Sequence, residues 1–358
     1  MREIKRGNTS KVEGKNKNGW WLAALGIGVV TAYTMLRKSR PQFDFQDKVV
    51  LITGGSRGLG LILARSLATR GARIAICARN AEELLRAEAD LEEQGATVFQ
   101  IVCDVRNQSE VKRAVETVRN HYGQIDVLIN NAGVIQVGPL ENQTQTDFEL
   151  AMATHFWGAF YMMQAVLPEM KSLGAGRIVN ISSIGGKITV PHLAPYCASK
   201  FALVGLSGAM RVELEKDNIY VTTVCPGLMR TGSHVNAVFK GQNEKEFAWF
   251  SIGNSLPISS ISAERAAEQI IEAAARGDAE LIISIQAKLA AKASALFPEL
   301  TAEISHLVNQ ILPSAGGIGE RHALGKDSTS FASPSFLTAA VDEKSYQNNE
   351  LEQGELLA

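Results

Sequence analysis

Tyr196 and Lys200 stand four residues apart in Tyr-Cys-Ala-Ser-Lys, and Ser183 lies thirteen residues before the tyrosine. On a helix that spacing puts the phenol and the ammonium on one face. Tyrosine is an inert acid or base near neutral pH, because its ordinary pKa is about 10. An ammonium beside it favours the phenolate and brings it towards working range. Ser183 follows an apolar run, Arg177–Ile181, at whose end its hydroxyl can hold a substrate oxygen next to the phenol. By itself a Tyr-x-x-x-Lys is matched by any exposed ion-pairing repeat. Its meaning depends on what accompanies it.

The strongest companion is Leu-Ile-Thr-Gly-Gly-Ser-Arg-Gly-Leu-Gly, residues 51–60, which follows the apolar run Val49–Ile52 and precedes a stretch with helical apolar spacing. Strand, glycine turn and helix in that order make a phosphate cradle. Gly54 permits the tight turn, Gly58 lets backbone approach a pyrophosphate, and Gly60 lets the helix pack against its strand. The helix start then offers unpaired N–H groups and a positive dipole end.

The second strand ends in Cys77-Ala78-Arg79-Asn80, where a site built for NAD carries an acidic residue for the ribose hydroxyl. Arg79 and Arg57 are there instead, and two guanidinium groups suit a 2′-phosphate. That favours NADP. Asp104, ending the third strand, can accept from an adenine amino group or serve as an ordinary Asx cap. Asn130-Asn131-Ala132-Gly133 ends the fourth strand, where small residues let a cofactor pass and amides can tie neighbouring strands together.

Positioning these groups takes a regular alternation of strands and helices, the pattern of a doubly wound parallel sheet. Strands are expected at 48–53, 73–77, 97–102, 127–131, 177–181, 220–225 and 280–284, with helices near 59–70, 81–94, 109–120, 145–172, 195–215 and 263–276. Residues 287–297 and 300–312 read as C-terminal helices, so 43–312 forms a single domain. From Pro313 the chain turns polar and reads as a disordered tail over 313–358.

The N-terminus differs in kind. Residues 1–19 are polar and basic, Trp20–Leu36 carries no charge, and Arg37, Lys38 and Arg40 close the run. Seventeen helical residues reach roughly 25 Å, the lower limit for a bilayer core. Trp20, Trp21 and Tyr33 suit the interfaces, and no small-x-small cleavage site follows. The run therefore reads as a retained single-pass anchor rather than a signal peptide or buried helix. Its flanking charges put the catalytic domain outside, whereas the cofactor puts it on the cytoplasmic side. With a net charge of -1 there is no basic footprint for nucleic acid, and six scattered histidines without Cys-x-x-Cys give no metal site. Cys77, Cys103, Cys197 and Cys225 show no paired spacing and read as reduced core residues.

The succession Thr-Gly-x-x-x-Gly-x-Gly, Asn-Asn-Ala-Gly, Ser, Tyr-x-x-x-Lys and Pro-Gly resembles the short-chain dehydrogenase/reductase family over about residues 47–284. The resemblance implies a Rossmann-type α/β fold, a seven-stranded parallel sheet of order 3-2-1-4-5-6-7. It implies NAD(P)-dependent oxidation of an alcohol or reduction of a carbonyl (EC 1.1.1.-), and a homodimer or homotetramer. Carried over, Tyr196 is the general acid/base, Lys200 lowers its pKa and holds the nicotinamide ribose, and Ser183 orients the substrate oxygen. Cofactor contacts fall on Thr53, Gly54, Ser56, Arg57, Gly58, Leu59 and Gly60, then Arg79, Asp104 and Val105. They continue through Asn131, Ala132 and Gly133 to Tyr196 and Lys200, and to Pro226, Gly227 and Thr231 beside the carboxamide.

One position departs from the pattern: His155 stands where the family has an asparagine that holds a relay water. Either the relay is rebuilt around the imidazole or turnover is reduced. His192 and the remaining histidines read as surface or loop residues. Between Leu228 and Ser260, Met229, Val235, Val238, Phe239, Phe247, Trp249 and Phe250 form either a lid over an apolar pocket or a flap packed on the core. With an anchor in the same chain, an apolar substrate (steroid, retinoid, lipid ketone or aldehyde) is the economical reading. A second reading is a NADP-binding sensor or scaffold at the membrane, weakened by His155, whose tail binds a partner.

Overall fold

The computed structural model describes residues 42–255, 260–330, 333 and 338–351. The expected basic segment 1–19 and anchor 20–36 lie outside the described residues. Among the described residues no helix is long and apolar enough to cross a membrane. The described elements belong to a compact unit that begins at Phe43.

Seven strands make the central sheet: β1 (Val49–Thr53), β2 (Arg73–Ala78), β3 (Val98–Val102), β4 (Val127–Asn130), β5 (Gly176–Ile181), β6 (Ile219–Pro226) and β7 (Glu280–Ile283). Their order across the sheet is β3-β2-β1-β4-β5-β6-β7, with every neighbouring pair parallel. β1 reads Val-Val-Leu-Ile-Thr and is buried at every position, as a strand covered on both faces must be. Thr53 pairs with Cys77 on one side and Asn130 on the other, so the strand ends align on one edge. There the strand order reverses, opening the crevice in which such sheets bind ligands.

The helices are α1 (Gly58–Ala68), α2 (Ala81–Glu93), α3 (Gln108–Tyr122), α4 (Gln145–Met152), α5 (Gly158–Leu173), α6 (Ala194–Leu214), α7 (Asn243–Ser255), α8 (Ala263–Arg276), α9 (Ile285–Leu296), α10 (Pro298–Ile311) and α11 (Ala339–Gln347). α1, α2 and α8 pack on one face of the sheet, and α3, α5 and α6 on the other. Asn80 caps α2 by accepting from the N–H groups of Glu82 and Glu83, a device worth about 1 kcal/mol.

Three expectations need correction. The single helix over 145–172 is broken by a π turn, Ala153–Trp157, where one extra residue is accommodated. The tail over 313–358 is not featureless. Ala323–Leu324 pairs antiparallel with Val238–Phe239, and α11 leads to a segment that returns to the sheet edge, with Val341 and Leu351 buried. Its apolar residues are too few for a compositional signal, but backbone bonds from Gly325 N–H to the Ala237 carbonyl and from Gly58 N–H to the Asn348 carbonyl tie its described parts to the domain. Nor are the histidines uniformly superficial: His192 lies in the loop before α6 as expected but its ring is buried against Glu246, and His234 is buried against Asp342.

The stretch after β6 behaves mainly as a flap. Phe239, Phe247 and Phe250 form a small core with Val137, Leu193 and Cys197, Val235 is buried, and only Met229 and Val238 of the seven apolar residues face the crevice.

Candidate active site

The crevice is a cleft of about 700 Å³ running from the glycine turn to the start of α6. At one end, Gly54 has φ +62°, and a Cβ there would lie 2.9 Å from the Ala132 Cα. A Cβ on Gly60 would lie 2.1 Å from the Gly54 carbonyl oxygen, so that close approach of helix and turn needs glycine. Asn131 fastens the turn from β4: its Nδ2 donates to the carbonyls of Thr53 and Gly54 at 3.1 and 3.0 Å. The Thr53 hydroxyl accepts from the N–H groups of Asn131 and Ala132, both at 3.0 Å. Behind it, Asn130 donates to Asn180, Asn180 to Ser207, and Thr223 to Ser207, a buried polar chain across β4, β5 and β6.

Ser56, Arg57, Gly58, Leu59, Arg79, Asp104, Val105 and Gly133 line the cleft alongside these groups, while Thr53 and Gly60 stand behind the turn. Arg79 is exposed. Arg57 faces two carboxylates, Glu83 at 3.6 Å and Glu350 at 3.5 Å. Asp104 is taken up by Arg106 and by the Arg106 N–H, the cap geometry. Burial would raise its pKa, but the Arg106 hydrogen bonds and charge hold it below the ordinary value.

At the other end, Pro195 opens α6, and Tyr196 and Lys200 follow one turn apart. Ser183 follows β5, accepts from the Gly185 N–H at 3.1 Å and lies beside the Tyr196 phenol, on which its hydroxyl acts to lower the pKa. Lys200 Nζ donates to the Ile181 carbonyl at 2.9 Å and lies 5.5 Å from the centre of the Tyr196 ring. Burial brings the Lys200 ammonium down to about 7. Burial pushes the Tyr196 phenol up to about 12, against the lowering influence of the neighbouring Ser183 hydroxyl. Without a nicotinamide ring beside it, the phenol is thus governed by desolvation, which outweighs the neighbouring Ser183 hydroxyl. Thr231 lines the cleft between these ends, while Pro226 and Gly227 lie just outside, Gly227 bonded to β7.

His155 reaches this end from the π turn. Its Nε2 accepts from the Val134 N–H at 3.1 Å, so Nδ1 carries the proton and donates to Ser199 Oγ at 2.7 Å. Burial and then the Lys200 charge hold its pKa well below the ordinary value, leaving the ring neutral. Both nitrogens are committed to neighbouring backbone and side chain.

Sequence reasoning missed Asn236 and the tail residues Asn348, Asn349 and Glu350, which reach the glycine turn from nearly 300 positions away. No local signal marks them. The glycines, the exposed Arg79 and the Tyr196–Lys200 pair fit a dinucleotide whose pyrophosphate meets the start of α1.

The family model described as short chain dehydrogenase matches residues 48–240. The chain belongs to the short-chain dehydrogenase/reductase family. Members are oxidoreductases that use a nicotinamide cofactor on small molecules. Among its relatives in the family, a dehydrogenase/reductase SDR family protein 7-like from Anopheles gambiae is 36% identical over 61% of this chain and 73% of its own. A 3-ketodihydrosphingosine reductase from Bacteroides thetaiotaomicron is 39% identical over 56% of this chain and 71% of its own. A solved variant of actinorhodin polyketide ketoreductase with NADPH superposes with a TM-score of 0.58 at 33% identity, covering 66% of this chain and 95% of that one.

Proposed function

We propose that the protein is a NADP(H)-dependent oxidoreductase (EC 1.1.1.-) acting on the alcohol or carbonyl of an apolar small molecule. The observation that carries this is Tyr196 and Lys200 one turn apart on α6, lining the same cleft as the glycine turn, with Ser183 beside the phenol. A bound nicotinamide supplies or accepts a hydride at C4. In reduction, Ser183 orients the substrate oxygen and Tyr196 gives it a proton. Lys200 holds the nicotinamide ribose and, with the positive ring of the oxidised cofactor, offsets the desolvation that raises the phenol. Arg79 and Arg57 favour the 2′-phosphate. Ile135, Leu150, Met229, Val238 and Leu324 give the cleft its apolar wall, which supports an apolar substrate. The relatives named as reductases of keto compounds support the same direction.

NADPH oxidation by the full chain, followed against long-chain ketones, steroids, retinoids and aldehydes, tests this reading. Turnover with one of them, lost in Ser183→Ala, is the expected result; absence of turnover on every class counts against it. The alternative, a NADP-binding sensor or scaffold, draws on the committed imidazole of His155. A large gain in turnover in His155→Asn would favour that alternative.

The uncharged run 20–36, bounded by cations, supports a single-pass anchor, and the NADPH requirement supports a cytoplasmic catalytic domain. Retention in membranes through an alkaline wash, lost on deleting residues 1–40, is the expected behaviour. A homodimer or homotetramer is proposed on family grounds, and sedimentation of the detergent-solubilised protein checks it.

A further inference from the structure

The tail beyond α11 occupies the part of the cleft where a dinucleotide's pyrophosphate belongs. The Gly58 N–H is the first unpaired donor at the start of α1, and it donates to the Asn348 carbonyl at 2.9 Å. Two residues on, the Glu350 carboxylate lies directly over the Gly58 Cα: a Cβ on that glycine would stand 2.5 Å from Glu350 Oε1. The side chain is 3% exposed, and Asn236 Nδ2 donates to both its carbonyl and its Oε2 at 2.8 Å. Glu350 also faces Arg57, the cation inside the turn. Asn349 bridges Ser56 and Glu83 through their carbonyls, at 2.8 and 3.0 Å. Asn348 Nδ2 reaches the Thr231 carbonyl at 3.1 Å, towards the nicotinamide end.

A carboxylate over the anion-binding glycine, a carbonyl on the anion-binding N–H and a carboxylate on the turn's arginine are what a phosphate group would have to displace. Two anions cannot share that space, and the tail contacts are too near the glycine backbone for a pyrophosphate to pass beneath them. We propose that residues 348–351 are an internal competitor of the cofactor, so that the protein alternates between a tail-closed form and a form open to NADPH. Glu350 is the anchoring group of the closed form. This rests on reading the cleft as a NADP site. It differs from a lid that closes over bound cofactor, because a lid strengthens binding and a competitor weakens it.

Apparent affinity for NADPH falls by the fraction of molecules that are open, so removal of the competitor raises it. The test compares the full chain, a chain ending at Gln347 and Glu350→Ala, titrating NADPH and NADH by quenching of intrinsic fluorescence. Shortening is expected to tighten NADPH at least about tenfold if less than a tenth of the full chain is open, and Glu350→Ala to tighten it by a smaller factor. Hydrogen exchange on the full chain gives an independent reading, which holds even if the shortened chain fails to fold. Saturating NADPH is expected to speed exchange at the amides of 349–351. Unchanged or weaker binding after shortening, or slower exchange in this segment with NADPH, overturns the proposal. A gain on shortening that leaves NADPH and NADH bound equally tightly keeps the competitor and removes the NADP preference. A marked preference for NADPH with no gain on shortening does the reverse.

Discussion

The two ends of the cleft are built differently. At the catalytic end, Ser183, Tyr196 and Lys200 come from adjoining elements, the end of β5 and the first turns of α6, with Ser183 beside the phenol and Lys200 fastened to the Ile181 carbonyl. At the phosphate end, the glycine turn is clamped by Asn131 from β4 and covered by Glu350 from the tail. The first is a local arrangement whose chemistry is set by burial. The second is assembled from residues far apart in the chain, and its availability depends on which of them is in place.

Substitutions that strike one end and spare the other sharpen this contrast. Tyr196→Phe removes the proton donor and is expected to lower turnover by about 10²–10⁴-fold, with NADPH binding intact. Stopped-flow hydride transfer and a cofactor titration check the two halves of that statement, and loss of binding together with turnover would mean the ends are not separable. Arg79→Asp strikes the phosphate end: NADPH binding is expected to weaken about tenfold or more and NADH binding less, as befits loss of a charge-assisted contact. Equal weakening of both removes the role of Arg79 at the 2′-phosphate.

The smallest effect concerns stability. Lys200 titrates at about 7 in the fold against 10.5 for an ordinary lysine, so between those values the unfolded chain binds more protons. Stability is therefore expected to rise with pH from about 7 to 10 through this group. In Lys200→Met that rise should be shallower in denaturant melts taken across the range. An identical slope in both proteins would show that the ammonium is not desolvated.

Nearly all of the sheet was legible, because fully buried parallel strands such as Val49–Thr53 are continuous apolar runs and each is followed by an amphipathic helix. The catalytic trio was legible because its spacing is short. The π turn was not, since Met152–Gly158 has the composition of ordinary helix and the extra residue is accommodated by contacts of His155 with Val134 and Ser199. The paired strands 136–137, 238–239 and 323–324 are too short for any period to show. The tail was misread because Val341 and Leu351 are isolated in a polar segment, and what holds it is side-chain amides meeting backbone carbonyls, a pairing that composition does not register.

The π turn has a mechanical consequence. A helix advances about 100° per residue, so one residue added or removed at Ala153–Trp157 rotates everything after it by that angle. Met162, Met163, Val166 and Met170, the stripe with which α5 meets the sheet, are aimed inward with the extra residue present. Deleting one residue from the turn would swing that stripe away from the sheet and carry Tyr161 and Ala165 round with it. The same five residues that deliver the imidazole to the catalytic end thus set the angular phase of a sixteen-residue helix, and a length change tolerable in a loop is not tolerable here.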